Sequence, residues 1–154
     1  MYYAIVATLM FLLPAISVIA EVAHGGAASW PLVVAKWYVF WAVGWRLFLA
    51  GIRQVAQPAY TAREILGLKS DESLILVREL GFANLAMGTL GIASIAVPSW
   101  QLAAALAGGI FYGLAGVNHV MQPHRSRLEN VAMVSDLFAA VVLLGVCLLV
   151  FMAR

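Results

Sequence analysis

The chain has 154 residues and a formal net charge of +2; 64% of its residues are hydrophobic and only 10% are charged. A soluble domain carries about 25% charged and about 45–50% apolar residues, so this composition, with a mean hydropathy of +0.97, excludes an ordinary water-soluble fold. The few basic residues are scattered, which argues against nucleic acid as a partner. We expect one integral membrane domain over residues 1–154.

Apolar runs predict five membrane-spanning helices. A helix needs about 20 apolar residues to cross a hydrocarbon core of roughly 30 Å. Five segments approach this length, namely residues 2–20, 31–52, 73–97, 100–121 and 128–152. The predicted fold is therefore an all-α polytopic membrane helix bundle. Lys36 and Arg46 interrupt the second segment, and if that segment lay on the membrane surface the number of spans would be four.

Basic residues in the predicted loops indicate an orientation. The link between the second and third spans contains Arg53, Arg63 and Lys69, and the link between the fourth and fifth contains Arg125 and Arg127. The other two links contain no Lys or Arg. Because basic loops stay in the cytoplasm, five spans place both basic links and the N-terminus there, and the C-terminus outside. This agreement favours five spans over four.

The long link before the third span has its own pattern. Between Tyr60 and Leu68, apolar residues alternate with charged ones, which is typical of a short helix lying at the membrane interface. Gly67 is the expected end of that helix. Ser70, with the acidic residues 71 and 72 behind it, is typical of the capped start of the third span.

Small residues predict where the helices pack. Gly109 and Gly113 form a GxxxG pair that Gly116 extends, and one side of the third span carries Gly81, Asn84, Gly88 and Gly91. Small residues let helix backbones approach closely, so that van der Waals contacts hold them together. Packing inside the bundle is the favoured interpretation, and the surface of a homo-oligomer is the alternative.

Polar side chains from four predicted spans share one depth. Counted at 1.5 Å per residue from the cytoplasmic end, they lie about 5–16 Å inside the membrane. They are Arg46, Glu79, Asn84, Asn118, His119 and Asp136. Charges at this depth cost several kcal/mol unless they are paired or hydrated. We expect a polar cluster in which Arg46 neutralises Glu79 or Asp136, whereas Lys36, nearer the outer face, snorkels to the interface.

Three interpretations of this cluster remain open. It is a pocket that binds a ligand or handles protons, a buried network that only fixes helix register, or a set of side chains that reach the interface separately. No HxxH, HxxxH or ExxH pair links the residues of this cluster, so no metal site is predicted. No serine or cysteine shares the depth of His119 well enough to suggest a nucleophile, and the sequence identifies no cofactor.

Three stretches carry a family resemblance: "RLFLAGIRQVAQPAYTAREI", "VRELGFANLAMGTLGI" and "IFYGLAGVNHVMQPHRSRLENVAMVSDLF". Over residues 40 to 145 they resemble small multi-helix bacterial membrane proteins of the DoxX-like type and the uncharacterised families around it. DoxX itself is a four-helix protein linked to quinone-dependent redox systems, so the resemblance implies a bacterial inner-membrane protein. The positions to which it draws attention are Arg46, Glu79, Asn84, His119, Glu129 and Asp136.

These observations favour an accessory subunit of a membrane complex or a binder of an amphipathic small molecule such as a quinone or lipid. In that hypothesis Arg46 and His119 donate hydrogen bonds, and the tryptophans at positions 37, 41 and 45 contact the apolar part of the ligand. The alternative is a membrane enzyme in which Glu79 or Asp136 performs acid/base chemistry with His119 on a lipid-soluble substrate. A proton-coupled transporter is least favoured, because no inverted repeat is visible.

Overall fold

The computed structural model describes residues 2–25 and 29–153, and the regular elements in these ranges are all helical. Among the described residues, five helices are long and apolar enough to cross a membrane. They are α1 (Tyr2–Ala23), α2 (Trp30–Ala56), α3 (Ser73–Ala93), α4 (Pro98–Met121) and α5 (Arg127–Met152). The predicted all-α bundle with five spans is confirmed. Large side chains such as Ile19, Leu76 and Val141 are exposed on its outer surface, as in helices that contact lipid.

Three helix boundaries differ from the predicted ones. Helix α1 continues to Ala23 and α2 to Ala56, whereas α3 ends at Ala93 instead of residue 97. Ser94 leaves the helix with its hydroxyl donating to the Gly91 carbonyl at 2.7 Å, and the residue before Pro98 is biased away from helical geometry. The longer α2 brings residues 53 and 54 into the bundle.

π-Helical turns occur in α1 (Thr8–Leu12), in α2 (Val39–Trp45) and in the link between α2 and α3 (Tyr60–Ile65). In α1 the cause is local, because Pro14 lacks an N–H and its ring would clash with the carbonyl four residues earlier. The Tyr60–Ile65 turn lies where the interfacial helix is predicted, and Gly67 follows it with φ +66°. Such turns are rare and are often found at functional sites.

A glycine seam joins α2 and α3 at backbone distance. A Cβ added to Gly44 would lie 2.9 Å from the Ile92 nitrogen, and one added to Gly91 would lie 2.6 Å from the Gly44 nitrogen. Further along the seam, a Cβ on Gly51 would lie 2.7 Å from the Gly81 carbonyl oxygen. The two backbones touch along this line, as small residues allow in membrane helices.

Helices α4 and α5 form a second pair. A Cβ on Gly109 would lie 2.8 Å from the Leu144 side chain, and one on Gly116 would lie 2.6 Å from Leu137. Gly113 is different, because a Cβ there would make an ordinary contact of 3.6 Å with Ala140. The predicted GxxxG glycines therefore face α5 of the same chain.

Helix α1 is attached to α2 by polar contacts. Lys36 Nζ lies 2.7 Å from Glu21 Oε2, and the same oxygen accepts a hydrogen bond of 2.6 Å from Trp37 Nε1. Trp41 Nε1 donates to the Ser17 hydroxyl at 3.0 Å. Lys36, predicted to snorkel to the interface, thus has a partner in Glu21, which lies one residue beyond the predicted end of the first span.

We predict that Gly88→Ala destabilises the bundle by about 1–3 kcal/mol, the usual cost of overpacking. The added methyl would overlap the Phe48 backbone across the seam, where no flexible side chain is available to move away. Gly113→Ala is the matched control, with the same gain in helix propensity but only an ordinary contact with Ala140. Thermal unfolding in detergent tests the pair, and equal melting temperatures would contradict the seam.

Candidate functional site: a polar cavity between the helices

A cavity of about 170 Å³ lies where all five helices meet, beside the Tyr60–Ile65 turn. Its polar lining includes Arg46, Arg53, Gln54, Asn84, His119 and Asp136. The rest is mainly apolar, with Ile5 from α1, Leu47 from α2, Leu80 from α3 and Phe111 from α4. A few convergent polar groups in an apolar wall are typical of a small-molecule site.

The structure places four of the six sequence-predicted residues on this cavity and two outside it. Arg46, Asn84, His119 and Asp136 line it, whereas Glu79 and Asn118 are exposed on the outside of the bundle. Glu79 lies five residues before Asn84, which turns it about 140° around α3, and Asn118 is turned about 100° from its neighbour His119. The proposed pairing of Arg46 with Glu79 therefore does not form.

His119 lies between two carboxylates of α5. Its Nδ1 is 3.0 Å from Glu129 Oε1, within hydrogen-bond distance, and its Nε2 is 4.0 Å from Asp136 Oδ2. The two acidic residues are seven apart and so share one face of the helix. Each of the three residues exposes less than a tenth of its surface. Glu129 thus holds the imidazole with its second nitrogen towards Asp136.

The loop between α4 and α5 fixes this arrangement. The Arg125 guanidinium donates to the carbonyls of His119, Val120 and Gln122 at 2.7–3.1 Å and so caps the end of α4. The Ser126 hydroxyl accepts from the Glu129 N–H at 3.0 Å and caps the start of α5. Arg125 was predicted only as a basic loop residue that sets the orientation in the membrane. It therefore also stabilises the end of α4.

Asn84 contributes a second polar contact across the glycine seam. Its Nδ2 donates to Gln54 Oε1 at 2.7 Å, and both side chains are buried. Its Oδ1 is also buried and has no hydrogen-bond partner in residues 2–25 and 29–153. Sequence reasoning missed Gln54, because the predicted second span ended at residue 52.

Two arginines of α2 line the cavity without a carboxylate partner. Arg46 Nη2 lies 3.4 Å from the Tyr2 hydroxyl, and the Arg53 guanidinium stacks on the Tyr60 ring at 3.6 Å from its centroid. The Nε atoms of both arginines are buried and lack a hydrogen-bond partner in the described part of the chain. There, neither arginine lies within 4.0 Å of a carboxylate oxygen.

Aromatic side chains play a different role from the predicted one. None of the tryptophans at positions 37, 41 and 45 lines the cavity, so the prediction that they contact the apolar part of a ligand bound there is wrong. They follow a spacing of four, and the first two face α1. Tyr112 lines the cavity instead, and its hydroxyl donates to the Ala42 carbonyl inside the π-helical turn of α2.

The side chains of this cavity are suited to binding a ligand and to exchanging a proton with it. Guanidinium groups donate to oxygen acceptors, and a histidine between carboxylates can pass a proton. Within the described ranges no group of three or more His, Cys, Asp or Glu side chains is arranged to hold a metal ion.

Comparison with protein families matches residues 1–154 to the family of unknown function DUF6790. Neither the curated proteins nor the solved structures contain a match to the chain. The family match agrees with the predicted resemblance at the level of an uncharacterised family and does not reach DoxX itself. Because the match covers every residue, the chain belongs to the DUF6790 family of unknown function.

Proposed function

We propose that this membrane protein binds an amphipathic small molecule, with the polar head of the ligand among the cavity arginines. The supporting observation is that Arg46 Nε, Arg53 Nε and Asn84 Oδ1 are buried without a partner in the described residues, all on one cavity. Buried polar atoms are normally hydrogen-bonded, and each one left unsatisfied costs about 1–3 kcal/mol. A ligand that enters this cavity would supply partners for all three atoms.

The apolar wall indicates the other half of the ligand. Leu47, Leu80 and Phe111 lie on the same cavity and suit a hydrocarbon chain or a ring, as in a lipid or a quinone. In this proposal the protein acts as a binder or as an accessory subunit that presents the ligand to a membrane complex. The resemblance to DoxX-like proteins is part of the same proposal and favours a bacterial inner membrane.

The orientation of the chain is also proposed. The two basic links lie at the same end of the bundle, where the Ser126 hydroxyl is 3.4 Å from the Ile65 carbonyl oxygen. Basic loops at one end support a cytoplasmic location for that end. With five spans, the N-terminus is then cytoplasmic and the C-terminus outside.

We expect a C-terminal alkaline phosphatase fusion to be active and a C-terminal green fluorescent protein fusion to be dark in a bacterial host. The reason is that phosphatase folds only outside the cytoplasm, whereas the fluorescent protein matures inside it. The same reporters fused after Gly67, in a basic link, provide the control with the opposite result. A fluorescent C-terminal fusion would contradict the proposed orientation.

Gentle extraction followed by native mass spectrometry tests the binding proposal. We expect a co-purifying small molecule on the wild-type protein and less of it on Arg46→Gln, because that change removes one of the two charged donors from the cavity. Arg78→Gln is the matched control, since Arg78 is exposed on α3 outside the cavity. Stoichiometric partner subunits without a small molecule would favour a purely structural role, as would equal ligand content in both variants.

One observation favours a membrane enzyme as the second candidate. His119, hydrogen-bonded to Glu129 and 4.0 Å from Asp136, resembles an acid/base group held in place by a neighbouring carboxylate. The enzyme hypothesis that named Asp136 thus has a geometric basis, whereas its other carboxylate, Glu79, faces away from the cavity.

If the protein is an enzyme, incubation with extracted membrane lipids and quinones changes the mass of one component. Asp136→Asn should abolish this conversion and leave ligand binding detectable, because it replaces the acid/base group with a similar shape. Glu79→Gln is the control and should convert the component at the wild-type rate. No mass change with the wild-type protein would leave the binding function as the only supported one.

A further inference from the structure

Arg46 and Arg53 reach the cavity from one face of α2. They are seven residues apart, which is two turns of helix and about 10 Å along its axis. Both line the cavity, together with Asn84 from the facing helix. Arg53 is held by the Tyr60 ring, and this cation–π contact orients the guanidinium group but supplies no negative charge.

In the described residues, neither cavity arginine has a carboxylate oxygen within 4.0 Å. Glu129 is hydrogen-bonded to His119 and does not itself line the cavity. The charged residues on the lining are two arginines and one carboxylate, Asp136. An unpaired charge inside a membrane costs several kcal/mol. The Nε atoms of both side chains are buried, although each arginine as a whole is only partly buried.

A neutral acceptor removes only part of this cost. A ketone oxygen accepts a hydrogen bond from an arginine but leaves its charge uncompensated. An anionic oxygen group does both, and it can accept two parallel N–H···O bonds from one guanidinium group. Asn84 Oδ1 is itself an acceptor and does not bind an oxyanion, so it is left for a hydroxyl group of the same ligand.

We infer that the ligand is an anionic amphiphile whose carboxylate or phosphate head is bound between Arg46 and Arg53. This inference rests on the proposed binding function and specifies the charge of the ligand. The two head groups share the same chemistry, and the planar, five-donor guanidinium group binds either one. The hydrocarbon part of the ligand lies against Leu47, Leu80 and Phe111.

Four probes with comparable tails test the inference. The protein, purified in the neutral detergent dodecyl maltoside, is titrated with dodecanoate, dodecyl phosphate, dodecanol and decylubiquinone, and native mass spectrometry counts the bound molecules. We expect dodecanoate or dodecyl phosphate to bind at least roughly tenfold more tightly than dodecanol, because only the anions compensate the arginine charge. The stronger of the two anions identifies the head group.

Two variants locate the binding site. Arg46→Gln and Arg53→Gln should each weaken binding of the preferred anion by roughly tenfold and leave the weak binding of dodecanol unchanged. Arg63→Gln is the control, because Arg63 is exposed and paired with the exposed Asp71. The conservative Arg53→Lys should retain part of the anion affinity, since it keeps the charge but loses the planar donor.

The outcomes separate this inference from the proposed function. Binding of dodecanol or decylubiquinone as tight as that of both anions would overturn the anionic head group and leave an amphiphile binder. Anion binding that survives both glutamine variants would also overturn the inference, because the head would lie elsewhere. If none of the four probes binds and no molecule co-purifies, the proposed function fails as well. The comparison of probes on the wild-type protein requires no variant to fold.

Discussion

Lipid offers no hydrogen bonds, so each polar group inside the bundle needs a partner within the protein. The ion pair of Lys36 with Glu21 meets this requirement between α1 and α2, and the hydrogen bond of Asn84 to Gln54 does so between α2 and α3. These contacts fix how neighbouring helices are rotated. In the described residues, the buried side-chain atoms left without a partner all belong to residues that line one cavity. These atoms therefore mark the place where a bound ligand would supply the missing hydrogen-bond partners.

Helix packing explains why the cavity lies where it does. The glycine seams hold α2 against α3 and α4 against α5, so the bundle contains two close pairs. Contacts between α3 and α4 are far fewer, which leaves space between the pairs. Large polar side chains such as Arg46 and His119 enter that space. Helix α1 and the Tyr60–Ile65 turn complete its wall, so every span contributes to the site.

The sequence predicted the membrane depth of the polar residues but not their direction around each helix. Apolar length set the spans, and the rise per residue placed Asn84 and Glu79 at comparable heights. Their directions differ, and only Asn84 faces the cavity. For Asn84 the sequence did indicate a direction, because Asn84 lies three and four residues from the seam glycines Gly81 and Gly88 and therefore shares their face. Gln54 was not predicted for another reason. The length of an apolar run underestimates the length of a helix that ends in polar residues, so the predicted second span stopped before Gln54.

The cavity has two chemically different sides, one suited to binding a polar head group and the other to acid/base chemistry. Each side supports one of the two proposed functions, ligand binding and catalysis. Helix α2 presents the donors Arg46 and Arg53, while α4 and α5 present His119 and Asp136. A head group bound to the arginines would lie opposite a carboxylate and an imidazole that Glu129 already holds in place. The binder and the enzyme thus use the same ligand position. They differ in whether Asp136 acts as a fixed counter-charge to the arginines or exchanges a proton with the ligand, since one carboxylate cannot remain charged for the first role while it is protonated for the second.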